Sequence, residues 1–302
     1  MSKTFKDLFS KLTSFETKKV AVAVAQDEPV LEAINEAKQK NIANAILVGN
    51  KELIEKIAEK LDMDLSNFEI IDEKNDKKAA LKAVELVSTG KADMVMKGLI
   101  DTATFLRSVL DKEVGLRSGK LMSHVAAFEI EGIDRLIFMT DAAFNIQPDL
   151  KAKIDIVNNA VKVAHGCGIE MPKVAPICAV EVVNPDMQAT VDAALLSKMN
   201  DRGQIKGCIV DGPLAFDNAL SLEAAKHKNI SGEVAGKADI FVLPNIESAN
   251  VMYKCLTYTS KSKNGGFLMG AAAPVILTSR SDSFETKVNS IGLAALVAKT
   301  AK

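Results

Sequence analysis

Val20-Ala21-Val22-Ala23-Val24-Ala25 is an unbroken run of small and β-branched apolar residues with no position left to face water, the pattern of a strand covered on both faces. After it, Pro29 to Lys40 places Leu31, Ile34 and Ala37 at helical spacing with charges between them, so strand and helix form one βα unit. The rhythm repeats outward. Ala45 to Gly49 predicts a second strand, and Glu52 to Leu61 a helix with Leu53, Ile54, Ile57 and Leu61 on one face. Phe68 to Ile71 and Met94 to Met96 predict further strands flanking a helix over Lys77 to Thr89. Arg135 to Thr140, Val174 to Val180, Cys208 to Val210 and Ile240 to Leu243 continue the series. The expected fold class is α/β, with mostly parallel sheets covered by helices. Gln147-Pro148-Asp149-Leu150 is echoed at Asn184-Pro185-Asp186-Met187, and each proline is expected in the first turn of a helix.

Composition narrows the function. The chain's 38 basic and 39 acidic residues leave a net charge of −1, so no global field draws it to nucleic acid or an anionic membrane. The longest apolar stretch, Phe267 to Leu277, has eleven residues with Gly and Pro inside it, well short of the roughly 18 to 20 that a spanning helix needs. Met1 to Lys19 has no apolar h-region, and a cytoplasmic protein is expected. The cysteines Cys167, Cys178, Cys208 and Cys255 form no C-x-x-C pair, so the expectation is four small buried residues and no metal site.

Four segments carry polar groups where strands give way to helices. Lys97-Gly98 ends a strand, and Asp101 or Thr102 can cap the helix that carries Thr104 and Arg107 on one face; such a helix entry suits an oxyanion, or is an ordinary capped helix with a surface arginine. Val275 to Thr278 runs into Ser279-Arg280 and a helix starting near Ser283 with Val288, Ile291, Ala295 and Ala298 as its apolar face. That places Ser279 and Arg280 at the carboxyl edge of the sheet, where α/β proteins bind ligands. Asp282 and Glu285 fit either a capping box, with Asp282 as N-cap, or a catalytic pair. Asp141 with Asn145, Asp211 with Asp217, and Asn250 with Tyr253 and Lys254 follow the later strands; their carboxylates can orient a hydroxyl or simply cap a helix.

In this order the segments resemble the phosphate acetyl/butyryltransferase family, from about Val20 to Ala301. The pieces that carry the likeness are Gly98, Thr102 and Arg107; Asp141 with Asn145 and Pro148; Asp211-Gly212 with Asp217; Pro244 with Asn250, Tyr253 and Lys254; and Gly270 with Pro274 and Ser279-Arg280. Asn145 to Asp149 and Ser279 to Asp282 look closest to its butyryl branch. The resemblance implies reversible transfer of a butyryl or other short acyl group from coenzyme A to inorganic phosphate, by direct attack in a ternary complex. Butyryl-CoA, phosphate and CoA would be substrates, with no tightly bound cofactor and no metal. It further implies a homo-oligomer, work in series with a butyrate (acyl) kinase, and an isocitrate/isopropylmalate dehydrogenase-like fold with its active site in an interdomain cleft. On this reading one α/β domain holds about 1–125 with about 272–302, and the other about 126–271.

Transfer passes through a tetrahedral oxyanion beside a phosphate dianion, which guanidinium groups match well. Ser279, Arg280, Asp282 and Glu285 are therefore the expected catalytic residues. Gly98, Thr102, Thr104, Arg107, Asp141, Asn145, Asp211, Asn250 and Lys254 are the expected phosphate and substrate residues. The acetyl branch carries a carboxylate seven residues after the serine of Ser-Arg, where this chain has Thr286. That leaves Asp282, preferred for its closeness to Ser279, or Glu285 as the base, or phosphate itself. Two other classes share some of these features. A metal- and NAD-dependent dehydrogenase of the isopropylmalate type would need clustered aspartates and a glycine fingerprint, and a non-catalytic CoA or acyl-phosphate sensor would fit the loss of the acid at Thr286.

Overall fold

In the computed structural model, which describes residues 4–12, 16–279 and 282–298, the Val20 run forms the heart of β1 (Lys18–Ala23), with Val20 to Ala25 wholly buried. Around it lie α1 (Phe5–Ser10), α2 (Glu28–Gln39), β2 (Ala43–Gly49), α3 (Lys51–Lys60), β3 (Glu69–Asp72), α4 (Asp76–Ser88), β4 (Met94–Lys97) and α5 (Thr102–Val109). The strands pair in parallel in the order β3-β2-β1-β4. Asp27, Asn50, Asn75 and Asp101 cap α2 to α5, each accepting from the backbone N–H three residues on. In α3 only Ile54 and Ala58 are buried, and Leu53 is exposed. The helix covers the edge strand β3, so its buried stripe is narrower than its apolar spacing suggests.

The chain divides into two units, Phe5–Lys120 with Asn264–Lys302, and Leu121–Lys263 with Met1–Thr4. The second contains β5 (Ser123–Ile130), β6 (Ile137–Thr140), α6 (Leu150–Gly166), β7 (Lys173–Cys178), α7 (Gln188–Asp201), β8 (Ile209–Val210), β9 (Leu214–Ala215), α8 (Phe216–Leu220), α9 (Leu222–His227), β10 (Ile240–Val242) and α10 (Ile246–Thr259). Its strand order is β5-β6-β10-β7-β8, with β9 on β7. β5 and β6 pair antiparallel across a short turn with Gly132 at φ 86°, and the other pairings are parallel. Phe128, Met139, Phe241 and Leu243 pack with Tyr253 in its core. Both echoed prolines lie ahead of their helices, not inside the first turn. Asp149 is the N-cap of α6, accepting from Ala152 N, and α7 starts only at Gln188, because Thr190 Oγ1 ties down the Asn184 to Met187 loop.

β11 (Ser262–Met269), β12 (Val275–Ile276) and α11 (Phe284–Ala298) complete the first unit. β12 is parallel to β4, with Val275 opposite Val95 and Ile276 opposite Met96, and antiparallel to β11. The sheets are thus mixed. α11 was expected to have one apolar face, yet Thr286 to Ala298 are all buried, because α2 and strands β1, β2, β4 and β12 pack around it. Its polar residues serve β11: Asn289 Nδ2 donates to Asn264 O and Ser290 Oγ accepts from Gly266 N. No described helix is long and apolar enough to cross a membrane.

Candidate active site

β1, β4 and β12 end side by side, and their exits enclose an open pocket of about 320 Å³. Chain order changes direction here, since β2 lies on one side of β1 and β4 on the other; such switch points are where open α/β sheets take ligands. Gln26 to Val30 come from β1 and the start of α2, Lys97 to Leu99 from β4, Thr278 and Ser279 from β12, and Lys287 from α11. Gly98 is required by close approach: a Cβ there would stand 2.2 Å from Val24 O and 2.7 Å from Ala23 O. Gly98 N and Leu99 N donate to those same two residues' carbonyls. Gln26 is 8% exposed and its Oε1 accepts from Asn50 N.

The structure joins Gly98 and Ser279 in this pocket and ties Asp282 to them. Asp282 Oδ2 accepts from Ser279 N at 2.6 Å, and Asp282 N donates back to Ser279 O. The capping box is otherwise than expected. Ser283 caps α11, its Oγ accepting from Thr286 N at 3.1 Å, so Asp282 stands one residue outside the cap. Glu285 is exposed and does not line the pocket. Thr286 is buried, and its hydroxyl donates to Asn264 Oδ1 at 2.9 Å. Arg280 lies outside the described residues.

Thr102, Thr104 and Arg107 sit on α5, the helix that leaves the Gly98 loop, with Thr102 and Arg107 exposed. Asp101 holds the start of this helix, accepting from Thr104 N at 2.8 Å. Hydrogen bonds from Thr104, first its side chain and then its backbone, hold the Asp101 carboxyl below its usual range.

The remaining expected residues belong to the other unit. Asp141, 4% exposed, accepts from the backbone N–H of Ala143, Phe144 and Asn145 and from Asn145 Nδ2. Asn145 also donates to Met122 O, and Asn250 to Ala142 O. These three form one network that fixes the loop after β6. Asp211 is half-buried, and burial raises its carboxyl pKa. Lys254 rests 5.4 Å from the Tyr253 ring and 5.8 Å from that of Tyr258. Asp217 pairs with Lys228 at 3.0 Å. Among the described residues, no three His, Cys, Asp or Glu side chains cluster as metal ligands. Cys255 is exposed, against expectation, because it lies on the outer face of α10. Burial pushes the Cys178 and Cys208 thiols up to about 11.

Lys97, Lys287, Gln26 and Asp27 line the pocket without having been singled out from the sequence. The sequence carries no local sign for Lys287, because polar Asn289 and Ser290 follow it and only the packing around α11 buries it.

The model of the family described as Phosphate acetyl/butaryl transferase matches residues 4–81 and 74–295. The chain is 71% identical over 298 residues to a phosphate butyryltransferase of Clostridium beijerinckii, covering 99% of each. To one from Clostridium acetobutylicum it is 72% identical, with the same coverage. A crystal structure of a branched-chain phosphotransacylase from Enterococcus faecalis superposes with a TM-score of 0.83 at 33% identity, covering 93% of this chain and 99% of that one. A match along nearly the whole length, in sequence and in fold, makes the chain a member of the phosphate acetyl/butyryl transferase family.

Proposed function

We propose that this enzyme reversibly transfers a butyryl group between coenzyme A and inorganic phosphate, giving butyryl phosphate and free CoA. The observation that carries the reading is 71–72% identity to two phosphate butyryltransferases over 99% of both chains. The dehydrogenase and sensor readings have no comparable support. The reading includes the isocitrate/isopropylmalate dehydrogenase-like, two-domain fold class, a cytoplasmic homo-oligomer without a tightly bound cofactor, and work in series with a butyrate kinase.

The pocket suits the reaction. In one direction a phosphate oxygen attacks the thioester carbonyl and the CoA thiolate leaves; in the other the thiolate attacks butyryl phosphate and phosphate leaves. Both pass through one tetrahedral oxyanion, which preorganised donors stabilise. Ser279 holds the carbonyl oxygen or the thiol, and Arg280 and Arg107 hold the phosphate, with Thr102 or Thr104 on one of its oxygens. Gly98 lets the substrate approach the backbone. Asp141, Asn145, Asn250, Asp211 and Lys254 are assigned to substrate binding, the first three by fixing a loop.

Thiol release from acetyl-, butyryl- and hexanoyl-CoA, with and without phosphate, tests the reading. Release that requires phosphate and is fastest with butyryl-CoA is expected. Phosphate-independent release, or none with any of the three, would overturn it.

A further inference from the structure

Sequence alone offers Asp282 or Glu285 for the thiol proton; the geometry favours neither. A short N–H bond from Ser279 occupies an oxygen of Asp282 and ties the carboxylate to its own loop, and Glu285 is exposed and does not line the pocket. At the position where the acetyl branch carries its acid stands Thr286, whose hydroxyl is committed to Asn264. The next residue, Lys287, is 3% exposed and lines the pocket beside Ser279. Its Nζ donates to Asp282 O at 2.6 Å and to Ser279 O at 3.5 Å, and it has no carboxylate within ion-pairing distance among the described residues. A neutral amine has two N–H groups and one lone pair. The two carbonyls take both N–H groups, so the lone pair is what remains for a ligand.

Among the described residues, the other ionisable groups lining the pocket have partners of their own. Glu28 pairs with Lys60 at 2.7 Å, Asp27 accepts from Val30 N, and Lys97 donates to the carbonyls of Gly98 and Ile100. Asp282, on its own loop, and Asp27, on α2, are the charges that favour the protonated form of Lys287. Among the described residues, the exits of β1 and β12 add the uncharged Gln26, Thr278 and Ser279. Burial outweighs both carboxylates and holds Lys287 below the ordinary lysine range.

Resting on the transfer reading above, we propose that Lys287 is the proton acceptor for the CoA thiol. Toward butyryl-CoA, the S–H proton passes to neutral Nζ as sulfur bonds to the carbonyl carbon of butyryl phosphate. The carbon–oxygen bond then breaks, phosphate departs with its electron pair, and the ammonium returns its proton to phosphate or water. Toward butyryl phosphate, the same ammonium protonates the departing thiolate. A buried lysine whose neutral form is within reach is suited to this task.

The test compares Lys287→Met, Lys287→Arg and Lys287→Ala in the direction that forms butyryl-CoA, with circular dichroism to confirm folding. Because the base is the neutral amine, wild-type turnover should rise with pH as Lys287 deprotonates, below the pH at which an exposed lysine does. Lys287→Met and Lys287→Arg should both lose about 100-fold or more in kcat, with KM for butyryl phosphate little changed and the rising limb absent. Ethylamine should restore turnover to Lys287→Ala in proportion to the free amine. Arginine keeps the donors to both carbonyls but cannot accept the proton, so wild-type kcat in Lys287→Arg would reduce Lys287 to a brace and overturn the proposal. Full activity in Lys287→Met would do the same while leaving the transfer reading intact. An inactive wild-type protein would instead defeat that reading.

Discussion

Gly98→Ala is expected to cost about 1–3 kcal/mol of stability, as other overpacked sites do, and on the order of 100-fold in turnover, the scale of an ångström-sized displacement of reacting groups. The added methyl group would lie 2.2 Å from one backbone oxygen and 2.7 Å from another, Val24 O and Ala23 O. Neither can rotate aside as a side chain would. β4 must shift relative to β1, breaking the Gly98 and Leu99 N–H bonds to those carbonyls, and the displaced loop leads directly into α5 with Thr102, Thr104 and Arg107. Urea unfolding and steady-state transfer rates check both halves. Near wild-type turnover in Gly98→Ala would mean that the β4 exit does not contact substrate.

Asp192→Ala should destabilise the other unit by about 3–5 kcal/mol, because it strands a buried charge. Lys153 on α6 and Asp192 on α7 form an ion pair of 2.6 Å with each side chain only 7% exposed, and Gln188 Nε2 donates to the second carboxylate oxygen. Removing the carboxylate leaves a buried ammonium without the ion-pair partner it has in the native fold. Asp192→Leu combined with Lys153→Met should recover most of the loss, since replacing both members of a buried pair is often neutral. Urea midpoints of the single and double variants decide this, and a double variant no more stable than Asp192→Ala would show that the pair is not what the helices depend on.

Much of the fold is legible because its strands are apolar without interruption. Val20 to Ala25, Ala45 to Gly49 and Met94 to Met96 have no polar residue to blur the pattern, and each lies within a residue or two of β1, β2 or β4. β11 is not legible. Its Lys263-Asn264-Gly265-Gly266 stretch lacks strand propensity, and tertiary contacts supply what propensity does not. Gly265 lets α11 approach so closely that a Cβ would come within 2.7 Å of Asn289, while Asn289 and Ser290 complete the hydrogen bonds of the strand.

The site divides the same way. Gly98 and Ser279 stand out as polar breaks at the ends of apolar strands, and the parallel pairing of β4 with β12 puts them in one pocket. Lys287 reads as a surface charge in the sequence, since only the packing of α2 and four strands around α11 buries it. Asp141 shows the converse. It stands at a strand end like a ligand residue, and the fold spends its carboxylate on three backbone N–H groups of its own loop. The burial of Lys287 is set by segments far apart in the chain, and the engagement of Asp141 by its own loop.

Phosphorus NMR of the purified protein with butyryl-CoA and inorganic phosphate tests the central claim most directly. Transfer predicts an acyl phosphate resonance that grows as the phosphate signal falls, in step with free thiol, and that reverses when CoA is added. Thiol release with the phosphate signal unchanged would mean that water, not phosphate, receives the acyl group, and would contradict the account.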